Sequence, residues 1–200
     1  MFHEKKTRLS VFLRVAALAC AVAATGCNNV PPERPQFAKL TYAHLGPFTF
    51  DAARVEIVEE PSAAGGGVSA PVSPAQAARQ WAQDRIRVTG QGNRSVRVVI
   101  RNAGITESDL PRTQGLRGAF TKDQAQRFDA KVEMAVEVRN ERGFQDGFAT
   151  ATAERFTTVA EDITLNDRDR ILFGLVEDLM RELNSRLDAN IRSFLAGQLR

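Results

Sequence analysis

The chain has 200 residues, 43% of them hydrophobic, with 27 Lys and Arg against 24 Asp and Glu. Once the first 26 residues are set aside, only Cys27 and His44 remain of two cysteines and two histidines, which excludes an internal disulfide and a Cys/His zinc site. Those 26 residues also hold four of the basic side chains and one acid, Glu4, so the remainder balances at 23 against 23 and a nucleic-acid partner has no global electrostatic support.

The N-terminus begins with a basic stretch, MFHEKKTRLSVFLR, carrying Lys5, Lys6, Arg8 and Arg14. Val15 to Thr25 follows, apolar and built of small residues, and then Gly26-Cys27. A basic start, a short apolar core and a small-residue exit make a secretory signal over residues 1–26. The core is far shorter than the ~20 residues a membrane-spanning helix needs. Cys20 in ALAC competes for the exit position, but choosing it leaves an apolar core interrupted by Arg14, so Cys27 is the better choice. The plain alternative is an ordinary cleaved signal with an incidental cysteine.

From Cys27 to Leu40 the chain reads as an extended tether, stiffened by Pro31, Pro32 and Pro35. Residues 41–200 suit one domain with one core. Phe48 to Glu60 is the first expected strand, Val55 and Ile57 alternating with Arg54 and Glu56. A Gly- and Ala-rich link follows. Ser73-Pro74-Ala75-Gln76 then has the capping-box pattern of a helix start, with Ala78, Trp81, Ala82 and Ile86 as the buried stripe and Gly90 and Gly92 ending the element.

Two further strands are expected at SVRVVIRNAGI, with Val96, Val98 and Ile100 on one face, and at FDAKVEMAVEVR. In the latter Phe128, Ala130, Val132, Met134, Val136 and Val138 face one way, while Asp129, Lys131, Glu133, Glu137 and Arg139 face the other. One buried and one wet face imply an antiparallel sheet. NERG is a short turn into the last strand. Pairing Arg139 with Phe144 puts Gly147, Ala149, Ala151 and Ala153 on the buried face beside Val136, Met134, Val132 and Ala130, a small-residue surface suited to close approach by a helix. The last element, Asn166 to Ala196, is a long helix striped by Leu172, Leu175, Leu179, Leu183, Leu187, Ile191 and Phe194. Its polar face mixes acids and arginines, which suits core packing better than a membrane surface. The expected fold is α+β, in the order β-α-β-β-β-α, with one mostly antiparallel four-stranded sheet and both helices on one face.

No catalytic motif is present. A Ser-His-Asp triad would have to use His44, close behind the tether, and no nucleophile elbow occurs. GQGN at 90–93 and GGG at 65–67 lack the spacing and following helix of phosphate-binding loops. A pair of carboxylates in the manner of glycosidases stays open, since acids are plentiful. The expectation is a non-enzyme without cofactor or metal.

ATGC, Ala24 to Cys27, resembles the lipobox of bacterial lipoproteins, although that family usually has a larger aliphatic residue where this chain has Ala24. The resemblance implies an acylated Cys27 as the lipid anchor, and Asn28 in place of Asp implies the periplasmic face of the outer membrane, with the inner membrane as the alternative. Several acyl chains on one cysteine give stable attachment, at ~0.8 kcal/mol per buried CH₂. Behind that anchor, the element order resembles the small envelope lipoproteins that serve transport machines. These are the LptE-like lipopolysaccharide-assembly lipoproteins and the auxiliary lipoproteins of ABC-type lipid transporters. SPAQAARQWAQDRI, LPRTQGLRGAF and ITLNDRDRI resemble stretches in alphaproteobacterial lipoproteins of unknown role. The function this implies is an accessory or assembly subunit docking on an envelope complex. The alternative is a module presenting a glycolipid or phospholipid, with a hydrolase third.

For recognition the connection Thr106 to Arg127 stands out, since it is long for its kind. Arg112, Arg117 and Lys122 suit an anionic lipid or an acidic partner surface, and Leu116 and Phe120 would anchor beside them. A solvated surface loop is the plain reading. Val99, Ala135, Phe148 and Phe156, on the open face of the sheet, are a second candidate docking surface.

Overall fold

The alternation in the FDAKVEMAVEVR segment runs to the end of a sixteen-residue strand, and the rest of the molecule is arranged around its apolar face. In the computed structural model, which describes residues 35–61, 67–111 and 124–200, the compact unit is Pro35–Arg200. Its elements are β1 (Phe48–Phe50), β2 (Arg54–Glu59), α1 (Pro74–Arg85), β3 (Ile86–Val88), β4 (Ser95–Asp109), β5 (Gln124–Arg139), β6 (Gln145–Ala160) and α2 (Leu165–Phe194). The four-stranded sheet has the order β2-β4-β5-β6, with β2 parallel to β4 and the other neighbours antiparallel. This is the expected α+β class and order. A second, parallel pair, β1-β3, is added to it.

That pair comes from splitting the expected strand Phe48–Glu60. The chain bends tightly after β1, where the Ala52 N–H donates to the Phe50 carbonyl, and the Ala53 N–H then donates to the Arg94 carbonyl at the start of β2. Phe48, Phe50 and Ala52 are all buried by this bend. The last residues close on β1 as well, through an antiparallel bridge between Phe50 and Leu199. Ahead of β1, Phe37 stacks on Phe173 with ring centroids 4.8 Å apart, and the Tyr42 N–H donates to Asp84 Oδ2 at 2.8 Å. Residues 37–42, partly within the expected tether, are therefore held against both helices.

α1 starts with the expected reciprocal cap. The Gln76 N–H donates to Ser73 Oγ at 3.2 Å, and the Ser73 N–H donates to Gln76 Oε1 at 3.1 Å. Ala77, Ala78, Trp81 and Ala82 form its buried face, and the Trp81 indole N–H donates to Asn184 Oδ1 of α2 at 2.8 Å. Ile86 belongs to β3 rather than to the helix, because α1 ends at Arg85 and the chain turns directly into a strand. α2 begins at Leu165, one residue earlier than expected, since Thr164 caps it by accepting from the Asp167 N–H. Leu172, Leu179, Leu183, Leu187 and Ile191 are fully buried against β5 and β6. Each such side chain contributes about 1.5–3 kcal/mol by leaving water. Phe194, expected in that stripe, is instead 67% exposed; the helix ends there and Leu195 turns inward in its place.

The β5–β6 register differs from the expected one by two residues. The turn closes between Asn140 and Phe144, with the Asn140 N–H donating to the Phe144 carbonyl and Gly143 at φ +82°. Asp146 is then an extra residue between Gln145, which faces Arg139, and Gly147, which faces Val138. Ala149, Ala151 and Ala153 consequently lie opposite Val136, Met134 and Val132. An even shift keeps every side chain on its face, so the small-residue surface survives.

Gly147 is where that surface is closest to its neighbour. A Cβ there would lie 2.9 Å from Leu195 Cδ2 and 3.3 Å from Gln198 Nε2. Gly147→Ala is expected to cost about 1–3 kcal/mol through overpacking, measured as a lower urea midpoint with an unchanged m-value.

Candidate functional site

The outer face of the sheet, away from the helices, is built from cross-strand rungs, charged ones flanking an uncharged one. Glu56, Arg97, Glu137 and Phe148 form one; Val58, Val99, Ala135 and Thr150 form the next; Arg101, Glu133 and Thr152 form a third, joined through a side-chain pair by Glu60 just beyond β2. Arg101 pairs with Glu60 at 2.9 Å, and Arg139 pairs with Glu137 at 2.7 Å. Of the four residues expected as an apolar docking surface, Val99 and Ala135 are buried. They are short side chains between two charged rungs, whose long stems cover them. Phe148 and Phe156 are exposed, at 53% and 60%.

Past the third rung the face changes. Arg101 faces Glu133, but Gly104 faces Lys131, so Asn102 and Ala103 together oppose Val132 in a β-bulge. Asn102 takes φ +48°, a left-handed conformation that Asn tolerates better than most residues. The bulge opens a groove of about 620 Å³ lined by Asn102, Gly104 and Thr106 of β4, Arg127, Asp129 and Lys131 of β5, and Glu154 and Phe156 of β6. Gly104 contributes no side chain to the groove wall.

Its charges are paired. Arg127 donates to Asp129 at 2.8–3.0 Å through Nε and Nη2, and its guanidinium lies 3.9 Å from the centre of the Phe156 ring. Lys131 Nζ lies 2.6 Å from Glu154 Oε1. The hydrogen bond from Arg127 to Asp129 raises the arginine above its usual value, and the bond to Glu154 does the same for Lys131. Both cations thus hold their protons more firmly than free side chains. That suits ion pairing and a flat cation–aromatic platform rather than proton transfer. Among the described residues, no group of three or more His, Cys, Asp and Glu is placed to hold a metal ion, and no helix is long and apolar enough to cross a membrane.

The expected recognition connection is shorter than Thr106 to Arg127. β4 continues to Asp109 and β5 starts at Gln124, because the cross-strand pairs run on through Thr106–Asp129, Ser108–Arg127 and Asp109–Gln126. Thr106 and Arg127 are therefore strand residues, and both line the groove. Arg112, Leu116, Arg117, Phe120 and Lys122 lie outside the described residues, as does Cys27. The bulge was not anticipated. Its one sequence signal is Asn102-Ala103-Gly104, two turn-forming residues interrupting a run of alternation.

No protein-family model matches this chain, and none of the curated proteins compared with it matches. Among solved structures, it is similar to protein XCC0632 from Xanthomonas campestris, of the family DUF330. The identity is 9% and the TM-score 0.30, over 80% of this chain and 94% of that one.

Proposed function

We propose that the chain is a non-enzymatic, lipid-anchored accessory lipoprotein on the periplasmic face of the outer membrane. It docks on an envelope transport or assembly complex through the loop end of its outer sheet face. The observation that carries this reading is the bulged groove. It combines an exposed aromatic ring with two cations and two acids already in pairs, on rigid strands. Such a surface selects a partner by shape and by exchange of ion pairs, and it offers no group poised for bond making. The residues 110–123 join β4 and β5 at this same end, so Arg112, Arg117 and Lys122, with Leu116 and Phe120, belong to the proposed docking region. Arg127 and Lys131 also give the second reading a foothold, a module that presents an anionic glycolipid or phospholipid by its headgroup.

The anchor is tested by metabolic labelling with palmitate. Cys27→Ser is expected to lose the label and leave the precursor uncleaved or the product soluble, whereas Cys20→Ser should label as the parent does. Persistent labelling of Cys27→Ser together with loss in Cys20→Ser would move the anchor to Cys20 and overturn the assignment of Cys27.

A further inference from the structure

β6 is an edge of the four-stranded sheet, and its free side is treated differently along its length. The β5–β6 register is unbroken from Val138–Gly147 to Gln126–Val159, so alternate β6 residues turn their N–H and C=O groups toward β5 and the others turn theirs outward. Asn190 Nδ2 donates to the Thr150 carbonyl and Arg186 Nη1 to the Thr152 carbonyl, both at 2.7 Å. This places Thr150 and Thr152 in the outward set, and with them Glu154, Phe156 and Thr158. Side chains of α2 thus close the edge over Thr150 and Thr152. Beyond them Glu154, Arg155 and Phe156 are consecutive exposed residues, and among the described residues no other element gives a hydrogen bond to the backbone of Glu154, Phe156 or Thr158, the Glu154 carbonyl accepting only a 3.4 Å bond from the side chain of its neighbour Arg155.

A row of unpaired N–H and C=O groups is complementary to one kind of occupant, an extended backbone. We propose that this occupant is a second copy of the chain, paired antiparallel through β6 about a two-fold axis at Phe156. Charge excludes two registers, and the length of paired strand favours Phe156 over an axis nearer the strand end. An axis at Glu154 or at Arg155 would set that residue against itself, like charge opposite like. An axis at Phe156 sets ring against ring, Glu154 against the other copy's Thr158, and Arg155 against its Thr157. The same register sets Thr152 opposite Ala160, where the other strand ends, so the α2 side chains that cap Thr150 and Thr152 stay in place. The pairing is isologous and closed, and it brings the two grooves side by side with Phe156 in the shared wall. It stands apart from the docking reading, since either holds without the other.

Disulfide trapping in the full chain tests it, with the unsubstituted protein as the blank for Cys20 and Cys27. Opposed residues of an antiparallel pair have Cα atoms about 5.5 Å apart, within disulfide reach. Phe156→Cys is therefore expected to form a covalent dimer on mild oxidation. Glu154→Cys alone and Thr158→Cys alone would sit about 13 Å from their own copies and stay monomeric. A mixture of the two should give the heterodimer. Adding Thr158→Glu to Phe156→Cys sets like charge against Glu154 of the other copy at both ends of the pair and should abolish the crosslink. Absence of the Phe156→Cys dimer in a protein that melts like its parent would overturn the proposal. Equal crosslinking from all three positions would overturn it too, because that is random collision.

Discussion

Leu179→Asp and Leu183→Asp are each expected to unfold the domain. Both leucines are fully buried in the face of α2 that packs on β5 and β6. A carboxylate there has no cation within the apolar layer and must either stay charged without a partner or take up a proton. Either way the cost exceeds about 4 kcal/mol, a large share of the roughly 5–15 kcal/mol that holds a domain of this size. Arg181→Asp, between them in sequence, should shift stability by no more than about 0.5 kcal/mol. Its side chain is 74% exposed and gives up only an exposed pair with Asp178. Circular dichroism melts of the three variants separate the cases, and similar melting temperatures for all three would mean that α2 is not a core element.

The second large effect is expected at Asp188. Arg85, at the end of α1, is 1% exposed, and its guanidinium donates to the carbonyls of Leu45 and Gly46 and to Asp188 Oδ1. The Phe48 ring lies 4.6 Å from it, and Nε has no hydrogen-bond partner among the described residues. Burial pushes the arginine pKa down, and Asp188 opposes that shift. One carboxylate therefore holds a buried cation that ties α1, α2 and the turn before β1 together. Asp188→Ala leaves that cation beside Arg192 with no counter-charge, and the expected loss is about 3–5 kcal/mol. Asp188→Asn keeps an acceptor and should lose less, whereas Arg192→Ala removes a 64% exposed side chain and should cost under about 1 kcal/mol. Urea midpoints give the order Asp188→Ala, Asp188→Asn, Arg192→Ala in decreasing damage. An Asp188→Ala protein as stable as Arg192→Ala would show that Arg85 reaches water.

The elements legible in the sequence are those whose local pattern and tertiary role agree. The capping box at Ser73, the alternation from Phe128 to Val138 and the leucine stripe of α2 each name their own buried face, because periods of 2 and 3.6 are written in single side chains. The β5–β6 register was not legible. It depends on which residues close the turn and on the extra Asp146, and neither alters the alternation on either side. The split of Phe48–Glu60 was hidden for a related reason, since Ala52 is small enough to be buried in a bend or a strand alike. Phe194 misled because hydrophobicity does not tell where a helix stops. The groove arises from a slip between two strands, Asn102 and Ala103 against Val132, which exists only once β4 and β5 are paired. Arg127 was visible as a cation near a long connection. Its bonding to Asp129 and stacking on Phe156 require the fold.

The central claim is that the loop end of the outer face is where this protein meets its partner. A photo-crosslinking residue at Thr106, in the groove wall, tests it most directly in living cells, with the same residue at Arg181 on the exposed side of α2 as the comparison. The account predicts a crosslink from Thr106 to one envelope protein distinct from the chain itself. That crosslink should disappear when Arg127→Glu and Lys131→Glu are added, and Arg181 should give none. Equal crosslinking from both positions, or adducts from Thr106 to lipid alone, would contradict it.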